Sequence, residues 1–373
     1  MSGARIGVWD YLREYEAERD DILAAVDKVF RSGRLILGPS VAEFERRFAG
    51  YCGVRYGVGV GNATDGIFLA LKAMGIGPGD EVVTVPNTAV PTVAAIAASG
   101  ATPRFVDICP STYLMDPQGL SDVISDRTKC IIPVDLFGQC ADMEAVHGIA
   151  DPLGIPVLED ASQAHGATRN GRRAGSMGTI GVFSFYPTKN LGAYGDGGLI
   201  VTDDEQLDAR LRRLRYYGME QTYYAEESGY NSRLDEVQAE ILLRKLGRLD
   251  SYIARRREIA ARYEEGLRET GLTLPAVASG NEHAFHLYVV RSVRRDALMD
   301  RLKARGITLS IAYPWPIHTM RGYAHLGYRE GSLPNTELAA RQIMSLPMYP
   351  TLPESHQDEV IEALRELTRE EPV

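Results

Sequence analysis

The sequence predicts an α/β protein: a large domain over residues 1–245, whose mostly parallel mixed sheet is covered by helices, and a smaller C-terminal α+β domain over residues 246–373. Three observations predict it. From Tyr56 onward, short apolar runs bounded by Gly, Pro and Asp alternate with helical patterns, the rhythm of βαβ units whose strands are buried on both faces. Two such runs, GTIGVFSFY and GGLIVTDD, then follow each other without a helix of ordinary length between them, a local break in that alternation. Beyond Asp204 the chain turns helical, and strand-like runs return only after a long amphipathic helical stretch, which signals a second unit.

In chain order, DDILAAVDKVF is helical. After the turn SGRLILGPS comes a second helix, VAEFERRFAGY, with Val41, Phe44, Phe48 and Tyr51 at helical spacing and Ser40 as its cap. YGVGV reads as a strand before the helix ATDGIFLALKAMGI, and EVVTV as a strand before the helix PTVAAIAASG. PRFVD, CIIPVDLF and IPVLED read as further strands, with ADMEAVHGIADPLG helical between the last two. LDEVQAEILLRKLGRLDSYIARRREIAARYEEGL is the long helical stretch. EHAFHLYVVR and GITLSIAY read as strands of the second unit, which ends in the helix SHQDEVIEALRELTRE.

With 373 residues the chain supports two domains, and its 45% hydrophobic and 24% charged residues are ordinary for a globular fold. A net charge of −9 repels nucleic acid and anionic membranes at long range, so neither is expected as a partner. Cys52, Cys109, Cys130 and Cys140 fall in no metal-ligand spacing and read as free thiols in a reducing compartment. The N-terminal stretch is charged where a signal peptide needs an apolar core, and no run reaches about 18 apolar residues, so a cytoplasmic protein is expected.

Ligands of open α/β sheets bind beyond the carboxyl ends of strands, which singles out GNATDG, PNTAVPT, EDASQAHGA and PTKNLGAYGDGG as loops able to share one crevice. GNATDG lies between a strand and a helix, where backbone N–H groups and the helix dipole suit a phosphate; its small polar residues also suit an ordinary cap. VLEDASQAH ends a buried strand in two carboxylates, costly there unless paired, and Gln163 and His165 stand at spacings able to reach the same ligand. Lys189 is either a solvated loop lysine or a nucleophilic amine whose pKa its setting must depress. A phosphate-shaped helix terminus, an aspartate on a strand end and a lysine on a later strand end are together what pyridoxal 5'-phosphate requires.

The motifs GPGDEVVTVPNT, IIPVDLFGQCADM, VLEDASQAHGA, FSFYPTKNLGAYGDGG and GYNSRLDEVQAE resemble those of the DegT family of pyridoxal-phosphate sugar aminotransferases, in the aspartate aminotransferase superfamily. The resemblance runs from about Gly33 to the LPMYP stretch near residue 348. It implies that Lys189 forms the Schiff base, Asp160 pairs with the pyridine nitrogen, Gln163 bonds the ring hydroxyl and Ser162 packs near one ring face. Ala63, Thr64 and Ser184 match phosphate-holding positions, and Asn231 matches one that reaches the phosphate of the neighbouring subunit, so a homodimer with shared active sites is implied. Tyr313 and His318, in AYPWPIH, match a small-domain loop over the substrate. Three positions depart from the family pattern: Ala89 replaces an aromatic that stacks on the ring, Asp135 stands where histidine is common, and Ala63 where glycine or serine is common.

The implied activity is a ping-pong transfer of an amino group from L-glutamate or L-glutamine to a keto-sugar, a nucleotide-linked 3- or 4-keto-6-deoxyhexose. A cyclitol or other non-nucleotide ketone stays open as acceptor, as does a non-catalytic regulatory protein on the same fold. The sugar 3-dehydratase branch of that fold carries histidine in place of the lysine, so Lys189 argues against it. A nicotinamide dehydrogenase is set aside because no GxGxxG follows the first strand.

Overall fold

The computed structural model describes residues 6–370, so the outer ends of both expected domain ranges, 1–5 and 371–373, lie outside the described residues. Helices α1 (Tyr11–Ser32) and α2 (Pro39–Cys52) lead into strand β1 (Tyr56–Val60), helix α3 (Ala63–Ala73), strand β2 (Glu81–Thr84), helix α4 (Val90–Ser99) and strand β3 (Thr102–Phe105). Strand β4 (Thr128–Ile131), helix α5 (Met143–Ala150) and strands β5 (Leu158–Asp160), β6 (Ile180–Ser184) and β7 (Gly198–Thr202) follow. Helices α6 (Glu205–Leu214), α7 (Glu236–Leu246) and α8 (Leu249–Leu267) precede strand β8 (Tyr288–Arg291), helix α9 (Arg295–Ala304), helix α10 (Pro334–Gln342), strand β9 (Ile343–Leu346) and helix α11 (Glu354–Glu370).

A three-stranded and a four-stranded sheet are joined edge to edge by parallel bridges, Ile131 to Val157 and Val134 to Asp160, giving the order β3-β2-β4-β5-β6-β7-β1. β7 alone runs against its neighbours, pairing antiparallel with both β6 and β1. The expected break in alternation is the cause. Parallel neighbours need a crossover of a dozen or more residues, usually through a helix, whereas β6 returns directly into β7 through the loop that carries Lys189. Alternation along the strands sends Val82, Val182 and Ile200 into one apolar cluster with Ile67 and Ile96, and Val83, Phe183 and Val201 into another with Phe44, Phe48 and Leu242. A further cluster joins Tyr263 of α8, Tyr288 of β8, Leu346 of β9 and Leu364 of α11, and Ile6 packs into it.

Several elements differ from expectation. The long amphipathic stretch is two helices, interrupted at Gly247 and Arg248, because its two ends serve different cores: Leu242 packs under the sheet and Tyr263 in the C-terminal cluster. CIIPVDLF is extended only to Ile131, since Pro133 offers no N–H to a ladder. GITLSIAY contributes two isolated bridges, Ile6 to Ile307 and Ser310 to Ser345, in place of a strand. Ser40 does not cap α2. Gly38 is the residue before the helix, and the buried carboxylate of Glu236, almost two hundred residues away in sequence, accepts from the N–H groups of Gly38 (3.0 Å), Ser40 and Val41 (3.1 Å). Glu236→Ala is expected to cost about 2–3 kcal/mol in urea unfolding, the sum of a lost cap and donors left unsatisfied. A cost below about 0.5 kcal/mol would show that water replaces the carboxylate.

Candidate active site

Loops at the carboxyl ends of β1, β2, β5 and β6 line one cleft of about 440 Å³. At one side stands the N-terminus of α3. Asn62 is its cap, its Oδ1 accepting from Asp65 N at 2.9 Å, and Ala63 and Thr64 of the first turn face the cleft, where helical N–H groups have no intrahelical acceptor. The turn lies tight against β7, since a Cβ on Gly198 would come within 2.5 Å of the Asn62 carbonyl carbon. Ser232 Oγ, which accepts from Gly61 N, donates to Asp65 at 2.6 Å and anchors the acidic residue of that first turn. An eleven-residue helix presented in this way favours an anion at its start.

Lys189 and Ser184 reach the same cleft from the β6–β7 connection. The loop folds back on itself: Lys189 N donates to Tyr186 O, and Ala193 N to Phe185 O, each at 2.8 Å. Gly192 permits this, because a Cβ there would lie 2.3 Å from the Pro187 carbonyl oxygen. The side chain is only partly accessible, its surroundings being largely protein. That enclosure strips water from the ammonium and lowers its pKa to about 8, against the opposing pull of the Asp160 charge.

Asp160, 3% exposed, closes β5 on the cleft floor. Its backbone is fixed by Asp160 N donating to Pro133 O and by Asp135 N donating to Asp160 O, both at 3.0 Å. Its carboxylate accepts from Thr92 Oγ1 at 2.8 Å and Ser162 N at 3.2 Å. Thr88 Oγ1 lies 3.1 Å from Thr92 Oγ1 and extends the chain of hydroxyls. Sequence reasoning missed both threonines. The available signal was PNTAVPT at a strand end, with hydroxyls four residues apart beside the start of a helix.

Ser162 and Gln163 also line the cleft. Gln163 Oε1 accepts from Phe137 N at 2.9 Å, and its amide nitrogen donates to Tyr313 Oη at 3.1 Å, which ties the cleft floor to the C-terminal segment. Ala89 borders the cleft with only a methyl group. Two expected residues stand apart. Asn231 is exposed, bridged through its backbone to Tyr216, and outside the cleft lining. His318 is buried and within hydrogen-bond distance of Glu337, 3.1 Å from its Oε1.

His165 overturns its expectation as a ligand-reaching group. It is fully buried among Phe48, Phe183 and Phe185, and burial lowers its pKa to about 3, so it is a neutral core residue. Glu159 likewise turns away from the cleft, accepting from the N–H groups of Gly175, Met177 and Gly178. It meets Asp135, whose carboxyl is pushed well above the usual range by burial and then by the charge on Glu159. Of the two carboxylates that end β5, Asp160 alone faces the cleft.

The DegT/DnrJ/EryC1/StrS aminotransferase family model matches residues 16–365. The chain belongs to this family. Among relatives of the DegT/DnrJ/EryC1/StrS family, dTDP-3-amino-3,4,6-trideoxy-alpha-D-glucose transaminase of Micromonospora megalomicea subsp. nigra is 57% identical, over 96% of this chain and 98% of that protein. A protein of Geobacillus stearothermophilus named a pleiotropic regulatory protein is 45% identical, over 96% of this chain and 98% of that one. The crystal structure of Streptomyces venezuelae DesV in complex with a ketimine intermediate superposes with a TM-score of 0.96 at 44% identity, covering 99% of this chain and 100% of that one. No helix among the described residues is long and apolar enough to cross a membrane.

The cleft fits pyridoxal phosphate on its own chemistry. A helix N-terminus, a buried carboxylate and an amine of depressed pKa border one space, as a phosphate, a ring nitrogen and an aldehyde demand. Ala89 leaves one wall of that space without a stacking ring.

Proposed function

We propose that the chain is a pyridoxal-phosphate-dependent aminotransferase that moves an amino group from L-glutamate or L-glutamine to a nucleotide-linked keto-sugar. The observation that carries this reading is the convergence of Lys189, Asp160 and the start of α3 on one cleft. The 57% identical dTDP-sugar transaminase favours a dTDP-linked 3-keto-deoxyhexose over a 4-keto sugar, a cyclitol or another free ketone.

When bound, pyridoxal phosphate supplies an aldehyde that captures the donor's amino group and a ring that withdraws electrons from the carbon bearing it. Ala63, Thr64 and Ser184 would hold the phosphate, Ser162 would pack near one ring face and Gln163 would bond the ring hydroxyl. Asp160, kept in place by Thr92, would hold the ring nitrogen protonated. Lys189 Nζ takes a proton from the donor's α-carbon in the first half-reaction and delivers one to the sugar carbon in the second. Tyr313 stands over the substrate; His318, bonded to Glu337, shapes that loop from behind.

The active unit is a homodimer in which Asn231 reaches the neighbouring subunit's phosphate. This is supported by the exposure of Asn231 outside its own cleft and of Leu12, Phe30, Leu35 and Ile36 around α1. A large domain over 1–245 and a small one over 246–373 are supported by the separate cluster around Tyr263 and Leu346. A cytoplasmic setting is supported by four cysteines that are all free thiols.

Mixing the protein with L-glutamate should shift the cofactor absorbance to that of its amine form, and a dTDP-3-keto sugar should reverse the shift. If no donor produces the shift, the reading falls in favour of a regulatory protein, which the name of the Geobacillus relative supports. The lysine adds a pH dependence. An amine attacks only when unprotonated, and with its pKa near 8 about one Lys189 in ten is free at pH 7, against roughly one in 2,500 for an ordinary lysine. Cofactor uptake by cofactor-free protein should therefore quicken about tenfold per pH unit below 8 and level off above it. Continued acceleration up to pH 10 would contradict the depressed value.

A further inference from the structure

Asp135, Cys140 and Glu159 are fully buried beneath the cleft floor, and one oxygen of each carboxyl and the Cys140 sulfur lie within 4.8 Å of one another. Glu159 is served as an anion, by the N–H groups of Gly175 (2.7 Å), Met177 (2.9 Å) and Gly178 (3.3 Å). Asp135 Oδ1 accepts from Ala141 N at 2.8 Å, but its Oδ2 is buried with no donor to accept from, and among the described residues neither carboxyl forms an ion pair. Arg169, the cation whose field reaches Cys140, is taken by Asp142 and Glu144. Burial pushes the Cys140 thiol up and keeps it neutral, and Asp160 at the end of the same strand adds a further negative charge. Two apposed carboxylates in a dry interior are too costly to stay ionised together. A divalent metal would also gather three such donors, but a closed structural site takes four ligands, and both Glu159 oxygens are already engaged by N–H groups.

We propose that Asp135 and Glu159 hold one proton between them, Asp135 donating it from Oδ2 to the Glu159 carboxylate, and that this clasp makes Asp135 a positioning residue for Gln163. The clasp ties the start of the loop 135–141 to β5, while Asp135 N donates to Asp160 O at 3.0 Å and Ala141 N closes the loop onto Asp135 Oδ1. Within that loop Phe137 takes a φ of 61° and donates its N–H to Gln163 Oε1 at 2.9 Å. Gln163 in turn reaches Tyr313, so a pair of groups on the far face of β5 fixes one that borders the cleft. The clasp itself is independent of the aminotransferase reading; its effect on a bound cofactor rests on that reading.

The test compares wild-type protein with Asp135→Asn, whose amide keeps an oxygen for Ala141 N and donates to Glu159 without a proton to lose. In the unfolded chain Asp135 ionises near its ordinary value of about 3.9, whereas the folded clasp keeps the proton, so wild-type protein takes up one proton on folding above that pH. With its folded carboxyl raised, the stability it contributes is whole below about pH 4 and is lost as pH rises. In urea titrations the folding equilibrium constant of Asp135→Asn should therefore gain on wild type by up to about tenfold per pH unit from about pH 5 upward. The infrared spectrum of wild type at neutral pH should carry a protonated-carboxyl band that the variant lacks. A ratio that stays constant from about pH 5 to 8, an Asp135→Asn protein that does not fold, or one equivalent of tightly held divalent metal in purified wild-type protein each overturns the proposal. Positioning is read from cofactor release by the holoenzyme. Asp135→Ala should release cofactor about fivefold faster, the scale of one hydrogen bond, Asp135→Asn should restore retention, and Gln163→Ala should add little in the Asp135→Ala background. Fully additive losses overturn the link to Gln163, and the pH comparison with Asp135→Asn decides the clasp even if Asp135→Ala does not fold. Failure of wild-type protein to take up cofactor instead overturns the aminotransferase reading and leaves the pH comparison standing.

Discussion

Lys189→Ala is expected to lower turnover by at least about 10⁴-fold, the upper end of what one positioned acid–base group contributes, and to stop both half-reactions. The loss is large because the same nitrogen captures the cofactor and moves the proton. The fold should survive. Among the described residues Lys189 Nζ makes no hydrogen bond or ion pair, and the loop is held by backbone contacts of Lys189 N and Ala193 N, so unfolding free energy should stay within about 0.5 kcal/mol of wild type. Single-turnover absorbance with glutamate and a urea titration separate the two effects. Full turnover in a folded Lys189→Ala protein would refute the assigned role.

Asp160→Asn is expected to cost about 10²- to 10³-fold in kcat, the effect of removing one preorganised electrostatic partner from a water-poor site. The amide keeps the side-chain shape and one oxygen for the Thr92 hydroxyl or Ser162 N–H, so packing changes little while the charge that holds the ring nitrogen protonated disappears. The loss should appear in kcat for both half-reactions, with the KM of each substrate nearly unchanged. A variant with wild-type kcat would mean that the cofactor ring needs no counter-charge here.

Much of the site was legible because chemistry collects where strands end. The runs YGVGV, EVVTV, IPVLED and GTIGVFSFY were recognisable by length and boundary residues, so the loops after them could be assigned to one edge of a sheet before any coordinate was known. Ala63, Thr64, Ala89, Ser162, Gln163 and Ser184 join Lys189 and Asp160 in the cleft for that reason. His165 was not placed, since the turn after Asp160 ends strand alternation and a polar ring packs among phenylalanines when burial keeps it neutral. Glu159 and Asp160 looked alike as adjacent carboxylates; strand geometry sends one to each face. Thr92 gave only the sign of a hydroxyl beside a helix start at a strand end, because a threonine there is ordinary until its neighbours are known.

By itself, the sequence determined the βαβ rhythm, the break that lets Lys189 sit on a direct strand return, and the residue types a cofactor needs, all of which depend on local spacing and chemistry. The tertiary structure decided which of those groups share a space. Glu236 caps a helix almost two hundred residues away, Thr92 steadies Asp160 across 68, and Gln163 bonds Tyr313 across 150. Such pairings are long-range contacts fixed by how cores pack, and no local pattern encodes them.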